Sequence, residues 1–301
     1  MANLNTQRIM LLVLAALFPG VIALSYFYGM QYWLNLAFAL AFGSCVEALC
    51  LRLQRRALTP ELTDGSTPVT CVLLCCALPP GTPLWIIAIG VVAAIGLAKH
   101  LYGGLGNNLF NPAMVGYAVV LVSFPKELAL WPIPLDGTTA ATALTSFKYR
   151  QGATVDEIWV IDQGFGSFGG YGWEWINLCF LIGGALLVAL RMAQWRVPVT
   201  MLASLSLLAL IGYDNGSSDS LGSPMFHLFT GSTMVVAFFV ATDPVTHPVT
   251  HRGQLLFGCL VGCLTFAIRV FGNYPDGAAF AILLANSATP YLDKRLVPAR
   301  G

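Results

Sequence analysis

Long apolar runs separated by short polar breaks fill most of the chain. Eight of them read as membrane spans, at about 9–29, 33–51, 84–98, 111–125, 174–190, 197–213, 254–271 and 277–292; their lengths cluster around what a helix needs to cross a bilayer. Two further apolar stretches, about 67–80 and 226–242, differ in kind. Each opens on Gly-Ser-Thr and closes at proline, as GSTPVTCVLLCCALPP (65–80) and GSTMVVAFFVATDP (231–244). Each is followed by an apolar span, a glycine- and asparagine-containing segment (YGGLGNNLFNPA or FGNYPDGAA) and a final span. The pattern predicts an all-α polytopic membrane protein of about ten transmembrane segments, arranged as two five-segment repeats with one interrupted segment each. Five crossings per unit make the second unit enter from the opposite side. Inverted repeats of this kind put a binding site at their interface. The expected division is a first membrane repeat (1–125), a loop (126–173) and a second membrane repeat (174–301).

Composition agrees. The chain is 57% hydrophobic and 10% charged, where a soluble domain carries about 25% charged residues, and its mean hydropathy is +0.74. A net charge of +1 gives no basic surface for nucleic acid. The apolar run that follows Arg8 exceeds the 7–15 residues of a signal-peptide core, so it is expected to stay as the first span. Ten crossings put Arg8, Arg52, Arg55, Arg56, Lys99, Arg191, Arg196, Arg252, Lys294, Arg295 and Arg300 on one side. Only Lys126, Lys148, Arg150 and Arg269 fall on the other. Eleven against four predicts both termini in the cytoplasm and the 126–173 loop outside.

All eight cysteines (Cys45, Cys50, Cys71, Cys75, Cys76, Cys179, Cys259, Cys263) lie in apolar runs without metal-type spacing, and are expected to be small buried hydrophobes. His100, His227, His247 and His251 form no metal set. His100 is expected to anchor at the interface, and His247 and His251 to be solvated with Arg252 in one loop. No catalytic triad, zinc motif, phosphate loop or dinucleotide fingerprint is visible, and NADH binding is not expected. Glu47, inside FGSCVEALCL, is an intramembrane acid and so a functional candidate. It would bind Na⁺ or relay a proton, or else pair with Arg52. Asp293 beside Lys294 reads as an interfacial ion pair. Asn107, Asn108 and Asn111 precede a span, which Asn108 or Asn111 would cap. Asp243 is either a solvated carboxylate or part of a site.

The stretch DGTTAATALTSFK (136–148) carries hydroxyls at Thr138, Thr139, Thr142, Thr145 and Ser146. It reads as a polar loop or as a point of covalent attachment. Together with KHLYGGLGNNLFNPAMVGY (99–117), ATDPVT (241–246) and YPDGAAFAILLAN (274–286), it resembles the RnfD component of the Rnf ion-translocating electron-transport complex and its relative NqrB, from the sodium-translocating NADH:quinone reductase. The resemblance covers nearly the whole chain. In that family Asp-Gly-x-Ser/Thr-x-Ala-Thr is a flavinylation motif whose last threonine carries FMN through a phosphoester. It implies attachment at Thr142, with Asp136, Gly137 and Thr139 completing the motif. A separate flavin transferase would supply FMN from FAD and release AMP. Thr154 and Thr233 are rival acceptors, the first flanked by repelling Asp156 and Glu157, the second reading better as a helix cap. The resemblance also implies a non-covalent riboflavin held by Asn108 and Asn111, with Asp243 as a further member.

The implied function is electron transfer along flavins coupled to Na⁺ or H⁺ movement, in the bacterial inner membrane, alongside membrane, iron–sulfur and flavin subunits of the complex. Glu47 is the expected ion-coupling residue. The short segment before the first span favours the Rnf component over its quinone-reductase relative. A flavin-free solute channel of the urea-channel kind, also built from inverted five-helix repeats, is the alternative of another class.

Overall fold

The computed structural model describes residues 6–133 and 139–296, and among these the chain is almost wholly helical. The first half runs α1 (Thr6–Tyr28), α2 (Gln31–Leu53), the short α3 (Leu58–Leu62), α4 (Ser66–Ala77), α5 (Leu84–Val91) continuing as a π-helix over Val92–His100, and α6 (Pro112–Ser123). The intervening segment holds α7 (Pro125–Ala129), a two-stranded antiparallel ladder of β1 (Trp131–Pro132) and β2 (Thr139–Ala140), α8 (Ala143–Lys148) and α9 (Val155–Ile161). The second half runs α10 (Trp173–Ala189), α11 (Arg196–Ile211), α12 (Pro224–Leu228), α13 (Thr233–Val235) continuing as a π-helix over Val236–Val240, α14 (His251–Phe271) and α15 (Ala278–Leu296). By length and apolarity α1, α2 and α14 suffice to cross a membrane, and Leu84–His100, α6, α10 and α11 are shorter apolar helices. The chain is a polytopic membrane protein.

The two apolar stretches that open on Gly-Ser-Thr form short helices, as their proline stops dictate. Each is entered through a glycine in the left-handed region, Gly65 at φ 83° and Gly231 at φ 66°, a conformation open to glycine without steric cost. Each start is then tied down in the same way. Asp64 accepts from the Ser66 N–H (2.7 Å) and hydroxyl (2.6 Å), and Asp276 accepts from the Ser232 N–H (2.8 Å) and hydroxyl (2.7 Å). Lys99 donates to Ser66 (2.8 Å) and Thr67 (3.2 Å), and Arg269 donates to Thr233 (2.9 Å). Both basic residues stand at the end of the helix that follows the interrupted stretch.

Packing follows a matching plan. α1 lies on α4 as α10 lies on α13, α2 on α5 as α11 on α14, and α5 with its π-helical continuation on α6 as α14 on α15. Between the halves α1 packs on α10 and α6 on α15. The core runs through this junction, with Leu17, Leu24, Phe180, Ala237, Val261 and Ile282 among its fully buried members. Leu11, Phe18, Ile22, Leu34, Ile182 and Leu207 instead point outward, as helices facing lipid do.

Several polar residues depart from their expected places. Lys99 and His100 are not at a water interface but 2% and 3% exposed. Arg269 is equally buried and ion-paired to Asp276 at 3.0 Å. Neither Lys99 nor Arg269 can therefore be counted as a flanking charge, which leaves the bias at ten against three. Hydropathy missed this because each cation is neutralised by a carboxylate supplied from another element. His247 is also buried, its Nδ1 2.8 Å from the Pro248 carbonyl, whereas His251 is exposed. Asp293 accepts from the Val249 N–H at 3.0 Å, and no Asp293–Lys294 bridge is present among the described residues. Cys45 and Cys259 are exposed on the outer faces of their helices, unlike buried Cys71, Cys75 and Cys76, because an apolar run with its outside in lipid need not be buried in protein.

Candidate functional site

The 126–173 segment is folded against the second half. Lys148 donates to the terminal carbonyls of α14, Ile268 (3.2 Å) and Arg269 (2.7 Å), where a cation suits the negative end of the helix dipole. Tyr149 donates to the Asn273 carbonyl at 3.1 Å. Arg150 donates to the Ser218 and Ser220 carbonyls at 2.8 and 2.7 Å. Ala143, Leu144, Phe147, Val155, Phe165 and Phe226 then close a small apolar core of their own. The glycine/aromatic run gives the chain room to turn here: Gly166 and Gly169 sit where a Cβ would strike Glu174 and the Phe229 carbonyl.

Thr142 is the N-cap of α8. Its hydroxyl accepts from the Thr145 N–H at 3.3 Å and lies 2.9 Å from the Thr145 hydroxyl. It is partly exposed and lines a cavity of about 300 Å³ with Trp131, Tyr149, Trp173, Tyr274 and Asp276. That volume lies at the lower end of small-molecule sites, which are lined by aromatic and apolar groups with a few polar ones. Asp136, Gly137, Thr138 and the side chain of Thr139 lie outside the described residues.

The rival threonines are engaged elsewhere. Thr154 caps α9 in a reciprocal capping box with Glu157, the arrangement that satisfies two orphan N–H groups at once. Those bonds from Thr154 hold the Glu157 carboxyl below its ordinary range. Thr233 is not a cap. It is fully buried, donates to the His227 carbonyl at 2.8 Å and accepts from Arg269.

A second cavity, of about 100 Å³, is lined by Ser66, Thr70, Lys99, Asn108, Asn111 and Asp243. The three residues expected to share a site thus line one cavity. Asn111 caps α6, accepting from the Met114 N–H at 3.2 Å, and its amide donates to Asp243 at 3.3 Å. Asn111 thus caps a helix and lines the cavity at once. Asp243 also accepts from the Val245 N–H at 3.1 Å and is half-buried rather than solvated. Asn286 braces Asn111, accepting from its backbone N–H (3.0 Å) and donating to the Thr246 carbonyl (3.2 Å). Asn108 donates to the Phe110 carbonyl at 3.1 Å, while its buried Oδ1 has no partner. A buried acceptor without a partner costs about 1–3 kcal/mol, and a ligand N–H would relieve it. The cavity admits the polar end of a heterocycle. A whole riboflavin enters only if lining side chains such as Met10 and Met192 swing aside, a movement suited to flexible methionine.

Glu47 stands immediately behind Lys99. It is fully buried, with one oxygen 2.8 Å from the Lys99 ammonium and 3.0 Å from His100 Nε2, and the other accepting from Thr67 at 2.8 Å. Its partner is not Arg52. The sequence signal for Lys99 was present, a basic residue closing an apolar span just before the glycine/asparagine segment, but nothing local tells a buried end from a wet one. Asp276, with burial pushing its carboxyl up but Arg269 and the Ser232 N–H and hydroxyl prevailing, is held below the usual carboxylate range. It was hidden in the same way. The two cavities lie back to back: Leu73 of α4 lines both. Among the described residues no group of histidines, cysteines and carboxylates could hold a metal ion.

The D-subunit of the ion-translocating oxidoreductase complex of Ectopseudomonas mendocina (strain ymp) is 46% identical over 307 residues, covering 96% of this chain and 90% of the relative. The protein of the same name from Pseudomonas aeruginosa (strain UCBPP-PA14) is 45% identical over 308 residues, with the same coverages. That from Aeromonas salmonicida (strain A449) is 42% identical over 330 residues, covering 98% and 94%. With residues 1–300 matching its family-wide pattern, the chain belongs to the NQR2, RnfD, RnfE family.

Proposed function

We propose that this chain is the RnfD component of an Rnf-type ion-translocating oxidoreductase complex, passing electrons through an FMN esterified to Thr142 and a riboflavin in the second cavity. The observation that carries the reading is the position of Thr142: a partly exposed hydroxyl on the rim of an aromatic-lined cavity that abuts a second, polar cavity at Leu73. Bound flavins would supply one- and two-electron chemistry, which the protein itself lacks. The chain's part is to hold them. Thr142 anchors, after a transferase breaks the FAD pyrophosphate, joins its FMN phosphorus to Oγ1 and releases AMP and the hydroxyl proton. Trp131, Tyr149 and Trp173 offer apolar surface to a ring, and Asn108, Asn111 and Asp243 offer amide and carboxylate groups to a riboflavin.

The matched glycine entries, Asp-Ser ties and basic residues of the two halves support the inverted-repeat reading with about ten membrane segments. In it the termini are cytoplasmic, and the Thr142 cavity opens to the outside of a bacterial inner membrane. Glu47 is the candidate for coupling electron passage to Na⁺ or H⁺ movement, as a fully buried carboxylate held by Lys99, His100 and Thr67. Iron–sulfur, flavin and further membrane subunits complete the complex.

The test is a denaturing gel, viewed unstained under ultraviolet light, of the chain co-expressed with a flavin transferase proved active on another target. A fluorescent band is expected in the wild type and in Thr142→Ser, and none in Thr142→Ala. A band that survives Thr142→Ala, or none in the wild type, overturns the attachment.

A further inference from the structure

We propose that Thr145 is the positioning residue for flavin attachment at Thr142. Its hydroxyl accepts from the Thr142 hydroxyl before esterification and donates to the phosphoester afterwards. The inference rests on the reading of Thr142 as the attachment site.

The two residues flank the first turn of α8, and both line the larger cavity. Their hydroxyl oxygens are 2.9 Å apart, a separation that requires one proton between them. The Thr145 N–H also donates to Thr142 Oγ1, at 3.3 Å. A hydroxyl has one proton and two lone pairs. With one lone pair engaged by that N–H and the proton given to Thr145, the remaining lone pair of Thr142 is the one free to attack phosphorus. β-Branching restricts χ1 and keeps the oxygen in this direction. Two other small hydroxyls of the cavity wall are committed elsewhere. Thr230 Oγ1 accepts from the Gly170 N–H at 2.9 Å, and Ser232 donates to Asp276 at 2.7 Å. Ser146, the next hydroxyl along α8, is not part of the cavity wall.

Attachment changes what Thr142 can do. Oγ1 bonds to the FMN phosphorus as the pyrophosphate P–O bond of FAD breaks and AMP departs. The hydroxyl proton goes to the transferase, because a threonine hydroxyl is too weak a base to keep it. The ester oxygen then has no proton to give. The contact survives only if Thr145 supplies one, so the hydrogen bond reverses, to the ester oxygen or to a non-bridging oxygen beside it. The diester carries one negative charge, and no lysine or arginine is among the described residues that line the cavity. Lys148 is spent on the Ile268 and Arg269 carbonyls, and Arg150 on those of Phe147, Ser218 and Ser220. Neutral donors are left to meet the charge, and hydrogen bonds to an ionised group are about twice as strong as neutral ones.

The experiment uses the full-length chain in detergent with purified flavin transferase and FAD, reading the initial rate of covalent flavin by in-gel fluorescence. Thr145→Val keeps the branching and the backbone N–H and removes only the hydroxyl. It is expected to lower the rate about tenfold, the worth of one hydrogen bond to a charged group. Thr145→Ser restores the rate, and Ser146→Ala leaves it unchanged. In the product of prolonged reaction, the phosphorus NMR resonance of the attached FMN moves in Thr145→Val and returns in Thr145→Ser, which reports a donor at the phosphate rather than stability. A wild-type rate and resonance in Thr145→Val would overturn the proposal, as would a loss that Thr145→Ser does not restore. A wild-type chain that takes no flavin, from a transferase proved active on another target, defeats the attachment itself and the role of Thr145 with it.

Discussion

The contact between α11 and α14 offers the sharpest quantitative test of the fold. Gly258 and Gly262, four apart on α14, face the backbone of α11 so closely that a Cβ at Gly258 would strike the Val197 carbonyl and the Thr200 hydroxyl. One at Gly262 would strike the Met201 carbonyl and the Ser204 hydroxyl. Ser204 uses the closeness to donate across the interface to the Cys259 carbonyl at 3.2 Å. Small residues at this spacing let membrane helices approach when lipid leaves little hydrophobic drive for association. The obstacle to a methyl group is a carbonyl oxygen, which cannot rotate away as a side chain would. The helices must part by about 1 Å, and gaps of about 0.5–1 Å forfeit a quarter to a half of the dispersion contact around them. Val197, Met201, Leu205, Phe257 and Val261, all fully buried here, would share that loss. Overpacking costs about 1–3 kcal/mol per site, so Gly258→Ala and Gly262→Ala each shift the unfolding equilibrium about 5- to 150-fold. Their sum is less than additive, since one parting of the helices relieves both. Reversible unfolding in mixed detergent and SDS micelles measures this. Gly81→Ala, where a Cβ meets nothing within 4 Å, is the control. Wild-type stability in both glycine variants would refute the close crossing.

Asn286→Leu strands the Asn111 N–H, while the Thr246 carbonyl keeps the Thr289 hydroxyl at 3.0 Å, so the one lost partner costs about 1–3 kcal/mol before relaxation. Riboflavin retention should fall with stability, measured by flavin released per chain. Asp276→Asn is expected to flatten the acid limb of stability. A carboxyl held below its usual value of 3.8 stabilises fully above that value and loses its contribution as pH falls through the lower folded one, so wild type and variant should converge in strong acid and differ near neutrality. Thr154→Cys, at the exposed capping box, should react with a membrane-impermeant maleimide in intact cells, while a cysteine replacing Arg252 should react only after permeabilisation. The reverse pattern would invert the topology.

The apolar pattern alone determined the class of protein, the helix positions to within a few residues, and the two interrupted stretches. Twenty-odd apolar residues, or a Gly-Ser-Thr start with a proline stop, have few other folds available. Thr142, Asn108, Asn111 and Asp243 were singled out through the resemblance of their contiguous segments, and the structure puts the first on one cavity and the other three on the second. What the sequence left open was which polar residues are buried and with whom. Lys99 lies 52 positions from Glu47 along the chain, and Asn286 lies 175 from the Asn111 it braces. Their pairing is created by helices returning across the same membrane, so no local pattern records it. Thr233 reads as a cap until Arg269 is found on its hydroxyl, and Gly258 and Gly262 read as ordinary apolar helix until α11 is laid against them. The back-to-back meeting of two cavities at Leu73 is likewise a property of how α4 packs against its neighbours. Charge burial and close approach depend on separations in space, and only the tertiary structure fixes those.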